Sequence, residues 1–330
     1  MSDKLSEVFD AYDMEIFQTS RGRGAVLMRT SRGIRQLKPT DSNQSRVEAE
    51  YNFKELVSIC GYDRLDRCVR NNDNELLSYD RYGVAYVLRC YFDGRECSTH
   101  DVDEILGATR NLTMLHRACR KAWELTDGDV HIRQTGNFKK RNQELKRVRN
   151  FISRYKARRE FEQIYIKVFD KYYKAALDCE EKYGNLVIDK DNEHLGYCHG
   201  MYNNHSILVD EKNEFYTIGF DRFYVGNQLD DLYHFLRKML EKNDYSIDLM
   251  EMILEEYNKY CTLAKRDYEY IYTLFSYPEK FYKISNQYMN SSKNWISPKM
   301  LEKINAIIED DEKKKRLLES MRQKYLSLRP

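Results

Sequence analysis

The run from Cys198 to Phe223 constrains this chain more than any other stretch. Cys198-His199-Gly200-Met201-Tyr202-Asn203-Asn204-His205-Ser206-Ile207-Leu208 reads as a tight polar loop feeding a short apolar strand. Asp210-Glu211-Lys212-Asn213 supplies a turn, and Phe215-Tyr216-Thr217-Ile218-Gly219-Phe220-Asp221-Arg222-Phe223 a second strand. Asp and Asn side chains bond their own backbone, so such a cluster between two β-branched and aromatic runs is a hairpin signal with a mechanism. Ile207, Leu208, Ile218 and Phe220 then require a core to cover them.

Upstream of this hairpin the pattern is strand-rich. Met14–Thr19, Ala25–Arg29 and Gly33–Lys38 read as three short strands, with Ser20-Arg21-Gly22-Arg23-Gly24 between the first two. Glycines there permit positive φ and would let backbone N–H groups approach a phosphate, although an ordinary hairpin turn explains them equally. A helix follows Asp41-Ser42-Asn43, with Ser42 or Asn43 as its cap, and runs to about residue 58. Glu50 shares a face with Phe53 and Val57, three and seven residues on, and is therefore a better inward-facing carboxylate than Glu48. Leu65–Val69 and Leu76–Tyr79 suggest edge strands, and Val84–Tyr91 a buried one. Phe92-Asp93-Gly94-Arg95-Glu96-Cys97 breaks that pattern and suits a hinge near residue 95.

Beyond it the period becomes helical. Asp101–Trp123 repeats apolar residues at helical spacing with Asp101 as a cap, Asn142–Tyr183 is one bent helix or two, and Asp230–Leu240 is acidic at its start and basic near its end. Helices are also expected at 247–262, 264–275 and 298–326. The expected fold is α+β and two-lobed: 1–95 a small antiparallel-sheet lobe with one Glu-bearing helix, 96–330 a mainly helical lobe carrying the 198–223 hairpin.

Composition excludes several functions. Lys+Arg number 55 against 53 Asp+Glu, a net charge of +2, whereas a nucleic-acid binder would show a basic stripe. Lys139-Lys140-Arg141 and Lys313-Lys314-Lys315-Arg316 read as solvated helix faces. No window approaches the roughly 20 apolar residues of a bilayer span, and Met1–Leu5 lacks a signal-peptide core, so folding in a cytoplasm is expected. Eight cysteines without a CxxC pair argue for reduced core thiols and against zinc. Tyrosine is frequent, 27 residues against 14 Phe, which suits helix packing with hydrated rims or a surface for association.

Together, Lys38, Glu50, the hinge, the helical lobe and the His199-Gly200 loop resemble the aminoglycoside phosphotransferase/choline-kinase-like fold. More closely, Arg23-Gly24-Ala25, Phe92–Cys97, Cys198-His199-Gly200, Phe220-Asp221-Arg222-Phe223 and Asp231-Leu232-Tyr233-His234-Phe235-Leu236-Arg237-Lys238 resemble the CotS-type spore coat proteins. The resemblance covers about residues 10–300. It implies a kinase-like lobe in which Lys38 contacts nucleotide phosphates and pairs with a carboxylate of the next helix, Glu50. It also implies an aspartate two positions after the loop histidine, an asparagine five further on, and a metal-binding aspartate opening the second strand's Asp-Phe-Asp-like segment.

Here those three positions are Met201, Ser206 and Gly219. A thioether accepts no hydroxyl proton, a serine is a poor ligand for a hard cation, and glycine offers none. His205 as a base and Asp221 as a metal ligand are the available substitutes, with Asn203 or Asn204 assisting; bracing of the loop by His199, and of its start by Asp231, is the structural alternative. The expectation is a kinase-fold spore coat protein, a pseudokinase for structure or assembly that requires no cofactor. It would be made in the mother-cell cytoplasm, deposited on the spore coat and partnered by other coat proteins. The alternative is a small-molecule or protein phosphotransferase, or a nucleotide binder, with an altered site and with ATP and magnesium as its cofactors.

Overall fold

A computed structural model describes residues 5–22, 24–126, 132–133, 136–154, 159–186, 192–291 and 298–327. Arg23 lies outside them, and with it part of the Ser20–Gly24 loop, as do residues 155–158 of the expected 142–183 helical region. The chain forms two compact units, residues 1–132 with 194–235, and residues 133–193 with 236–330. The fold is α+β, with an antiparallel sheet in the N-terminal region and a mostly helical C-terminal part.

The first unit opens with α1 (Ser6–Asp10), followed by β1 (Ile16–Gly22), β2 (Ala25–Thr30) and β3 (Gly33–Pro39). After α2 (Gln44–Ile59) come β4 (Cys68–Val69), β5 (Ser78–Tyr79), β6 (Ala85–Cys90) and β7 (Arg95–Glu96). The antiparallel sheet runs β1-β2-β3-β6-β4, with β5 also on β6. The edge strands are shorter than their apolar runs suggest, because only two residues of 65–69 and of 76–79 find ladder partners on β6. Val8 and Tyr12 close one sheet face over Met28, Leu37 and Leu88. Val47 of α2 joins Cys68, Leu76, Leu77 and Val87 in a second buried cluster.

Helix α2 begins where its cap predicts: the Asn43 side chain accepts a hydrogen bond from the Arg46 N–H at 2.9 Å. Its buried face carries Phe53, which stacks on Phe223 with centroids 4.9 Å apart and meets Tyr197 and Phe220 at 4.7 and 5.6 Å. Burying such a ring contributes about 2–3 kcal/mol, so α2 is fastened to the hairpin as well as to the sheet.

α3 (Val102–Glu124) is capped by Asp101, whose carboxylate accepts from the N–H groups of Asp103 and Glu104. The hairpin lies between β8 (Leu195–Cys198) and β11 (Tyr224–Asn227), which pair with each other; within it, β9 (Ile207–Val209) pairs with β10 (Phe215–Thr217). Phe92–Cys97 also holds strand structure, since Arg95 and Glu96 pair with Val209 and Leu208. The second strand is shorter than the Phe215–Phe223 run suggests: its ladder with β9 ends at Thr217, residues 218–223 are irregular, and β11 pairs with β8 in a separate two-stranded sheet.

Two glycines make that geometry feasible. Gly200 has φ +83°, and a Cβ on it would lie 2.3 Å from the Arg222 carbonyl oxygen. Gly219 has φ +82°, in the left-handed region that L side chains rarely adopt.

The second unit is helical: α4 (Phe138–Ser153), α5 (Glu160–Gly184), the end of α6 (Leu229–Lys242), α7 (Ile247–Asn258), α8 (Lys265–Ser276), α9 (Glu279–Asn290), α10 (Pro298–Glu309) and α11 (Asp311–Met321). The 142–183 region thus gives two helices, and the 298–326 pattern two helices followed by a π turn at Arg322–Leu326. Tyrosines pack here as amphipathic rings. Tyr165 and Tyr172 stack on Phe281 at 4.9 and 4.5 Å, while Tyr288 donates its hydroxyl to Glu162 at 2.8 Å. All eight cysteines are free. No helix among the described residues is long and apolar enough to cross a membrane.

Candidate functional site

The loop after β8 is held by one carboxylate. Asp231, fully buried near the start of α6, accepts from the His199 N–H at 2.6 Å and from the Gly200 N–H at 2.8 Å. His199 Nδ1 accepts from the Met201 N–H at 3.2 Å, which puts the ring proton on Nε2, where it reaches the Ile218 carbonyl at 3.0 Å. Burial pushes the His199 pKa down, consistent with this neutral tautomer. For Asp231 burial acts upward, but His116, 3.6 Å away, His199 and the loop N–H hold it below the usual carboxylate range. His199 and Asp231 are thus spent on the loop's shape.

The three substituted positions offer little chemistry. Met201 is 41% exposed. The Ser206 hydroxyl accepts from the Asn203 N–H at 3.0 Å and donates to the Asn203 carbonyl at 2.9 Å, so it closes its own turn. Gly219 donates its N–H to Asp66 Oδ2 at 2.9 Å and has open space where a side chain would be. His205, exposed, places Nδ1 2.7 Å from Glu96 of β7. Asn203 accepts from the His205 N–H, and the Asn204 amide lies 3.5 Å from Glu96.

The charged groups are arranged differently from the expected lysine–glutamate pair. Lys38 does not pair with Glu50; its Nζ reaches Asp221 Oδ2 at 2.7 Å. Glu50 is taken by two other cations. Arg89 of β6 binds it with Nε and Nη2, both at 3.0 Å, and Lys54, one helical turn on, donates at 2.6 Å. Lys54, wholly buried, also donates to the Asp66 carbonyl at 2.7 Å and lies 2.8 Å from Asp66 Oδ1.

The reason is geometric. Two buried cations converge on Glu50 from its own helix and from the strand next to β3, which leaves Lys38 to the half-exposed Asp221. Burial alone would raise the Glu50 pKa; the Lys54 ammonium and Arg89 guanidinium reverse this and hold it far below the carboxylate range. Glu48 is exposed and bonds Gln44.

Asp221 is the meeting point. Arg89 Nη2 reaches its Oδ1 at 3.2 Å, and Arg46 Nη2 donates to the carbonyls of Phe223 and Asp221 at 2.7 and 3.3 Å, its guanidinium 3.9 Å over the Phe223 ring. Burial raises the Asp221 pKa, but Arg89 and Lys38 together keep it low. Arg89, Lys54 and Asp66 are site residues that the sequence reading missed. A lysine on the Phe53–Val57 face of α2 and an arginine inside the apolar Ala85–Cys90 run were the available signals.

A divalent cation does not fit this donor set. A serine hydroxyl closed on its own turn and a glycine stand where the resemblance implies metal ligands, and no group of three or more His, Cys, Asp or Glu able to hold a metal ion occurs among the described residues. The half-exposed carboxylate of Asp221 is neutralised by cations of the chain itself.

Fold and site geometry define a protein of the kinase-like fold shared by aminoglycoside phosphotransferases and choline kinases. The chain is similar to the crystal structure of an aminoglycoside phosphotransferase from Alicyclobacillus acidocaldarius, with TM-score 0.82, 16% identity, and 97% of this chain and 96% of that one covered. It is also similar to spectinomycin phosphotransferase in complex with ADP and spectinomycin, at TM-score 0.63 and 11% identity over 94% of both chains. A third similar structure is choline kinase from Cryptosporidium parvum Iowa II, at TM-score 0.54 and 12% identity over 95% and 94%. No protein-family model and no curated protein sequence matches the chain.

Proposed function

We propose that this chain is a pseudokinase, a kinase-fold protein that serves structure or assembly and does not transfer phosphoryl groups. The observation that supports it is the joint state of the three substituted positions: an exposed methionine, a serine hydroxyl spent on its own turn, and a glycine. Phosphoryl transfer rests on positioned metals and electrostatics, so losing base and ligands together removes its main supports. From the CotS-type resemblance follows the finer reading: a spore coat component made in the mother-cell cytoplasm, deposited on the coat and bound to other coat proteins. Purified protein is expected to show no magnesium-dependent ATP turnover, and a fluorescent fusion to ring the forespore during sporulation. Turnover abolished by Lys38→Ala would overturn the first part; diffuse vegetative fluorescence would overturn the second.

One observation favours a second reading. Lys38 and Asp221 are paired at 2.7 Å where neither is fully buried, and a similar structure holds ADP. An altered phosphotransferase using Asp221 as its metal ligand and His205 as its base would need both side chains. It predicts magnesium-dependent turnover that Asp221→Asn removes; an unchanged rate in that variant would dismiss it.

A further inference from the structure

The two basic runs of the sequence end differently in the fold. In the second, Lys313 pairs with Asp244 at 2.7 Å, Lys314 donates to the Tyr277 carbonyl at 3.0 Å and Lys315 lies 4.0 Å from Glu312. The first run opens α4, which buries Leu145, Val148 and Ile152 on one side. Its other side exposes Lys139, Lys140, Lys146 and Arg147, with Arg154 at the helix end and the amides of Gln143 and Asn150 between them. At 3.6 residues per turn these side chains cover about a third of the circumference, and Lys140, Arg147 and Arg154 follow one line at intervals of roughly 10 Å. The acids bordering the helix are engaged elsewhere. Glu144 accepts from the Tyr282 hydroxyl at 2.7 Å, Glu279 from Arg141 at 2.8 Å and Glu180 from the Asn142 amide at 2.8 Å, and none of the five cations has an ion pair among the described residues. Residues 138–154 hold seven Lys and Arg against Glu144 alone, a charge of +6 in a chain of net +2, so the remainder carries −4.

We propose that this face of α4 docks an acidic polypeptide segment, a tract of Asp and Glu residues on a partner protein. Like charges one helical turn apart repel, and an anionic tract laid along the stripe relieves that repulsion. Carboxylates accept from ammonium and guanidinium groups in charge-assisted hydrogen bonds, and the Gln143 and Asn150 amides are placed to bond the backbone of the docked segment. Because the helix is already packed on its inner side, the cations are presented without the cost of ordering a helix on binding. Two other polyanions suit this face less well. Interfacial helices insert apolar side chains into a bilayer, whereas α4 exposes none: Phe151 is half-buried and its other large apolar residues are buried. A nucleic-acid duplex extends beyond the roughly 24 Å of this helix and would meet a chain that is negative elsewhere, while an acidic tract can be confined to the stripe. The inference rests on the reading of the chain as an assembly protein, for which it supplies the kind of partner.

The test compares binding of labelled poly-L-glutamate, duplex DNA and phosphatidylglycerol vesicles to the full chain at physiological salt. Wild type is set against the triple reversal Lys140→Glu, Arg147→Glu and Arg154→Glu, and against a control in the other basic run, Lys315→Glu with Arg316→Glu. The triple reversal is expected to weaken poly-L-glutamate binding at least about tenfold and to flatten its salt dependence. The control should change it by less than about twofold. Should the triple reversal fold poorly by circular dichroism, glutamine at the same three positions carries the same expected direction. An affinity that the triple reversal leaves unchanged, or that the control lowers as much, overturns the proposal. So does a wild type that binds duplex DNA or vesicles more tightly than poly-L-glutamate. Salt-sensitive self-association removed by the triple reversal would give the face to a second copy and overturn it as well. Magnesium-dependent ATP turnover, scored on the same samples, would instead overturn the assembly reading while leaving the binding result in place, so the two failures are distinguishable.

Discussion

Two ion-pair systems meet at Arg89 and differ in one respect, their access to water. On one side Glu50, Lys54 and Asp66 are sealed, with the lysine side chain at 0% exposure. On the other, Lys38 and Asp221 pair at a similar distance with side chains 34% and 42% exposed. In the sealed system each charge depends on its partner, because removing one leaves an uncompensated ion in a medium of low polarity. In the open one, water stabilises either charge once the pair parts, so the bond is worth about 0–1 kcal/mol. The same chemistry thus gives a rigid joint in one place and an exchangeable contact in the other.

The sharpest way to break this contrast is Lys54→Met. It takes the ammonium from the buried Asp66 and leaves Glu50 to Arg89 alone, and chemical denaturation should show a loss of about 3–5 kcal/mol. A loss below about 1 kcal/mol would mean that the cluster is hydrated and the contrast false. Next in size is Asp231→Ala, which leaves the N–H groups of His199 and Gly200 without their acceptor. It should cost roughly 3 kcal/mol, with proteolytic sensitivity rising at the 199–206 loop. A variant as stable and as protease-resistant as wild type would show that Asp231 does not order that loop.

Much of this was legible beforehand, and the remainder failed for a physical reason. The hairpin, the Asn43 and Asp101 caps and the order of sheet and helices follow from patterns local in sequence. Asp231 was readable as a carboxylate at a helix start. The partner of Lys38 was not, because Asp221 is 183 residues away and its availability depends on what Glu50 does. Glu50 in turn is decided by Arg89, on the strand beside β3, and by Lys54, whose charge on an apolar helix face looks like an interruption until its partners are placed. The sheet and α2 bring these groups together, and periodicity alone does not rank competing cations for one carboxylate. Helix α9 was missed because Ser285 and Tyr288 break an otherwise apolar face; both are buried and hydrogen-bonded, so they pack as core residues.

The sealed cluster should also leave a signature in acid. Glu50 has a folded-state pKa held far below its unfolded value, so its contribution is fully present above the ordinary carboxylate pKa and is lost as pH falls through the folded value. The stability difference between wild type and Glu50→Gln should therefore be constant above about pH 5 and shrink progressively below about pH 4. A difference that is flat down to pH 2 would place the Glu50 charge outside the folding balance.

Lys38→Met tests the open side and has the smallest expected effect. The substitution removes the ammonium from Asp221 but leaves that carboxylate with Arg89 and with solvent. Stability should change by no more than about 1 kcal/mol at low salt, and the change should shrink further as salt screens the pair. The apolar Met side chain retains most of the packing of the lysine stem, so a larger loss would be electrostatic in origin. A loss approaching that of Lys54→Met would show that Lys38 belongs to the sealed cluster. Near-neutrality, together with a large cost for Lys54→Met, would locate the rigid joint and the exchangeable contact on opposite sides of Arg89.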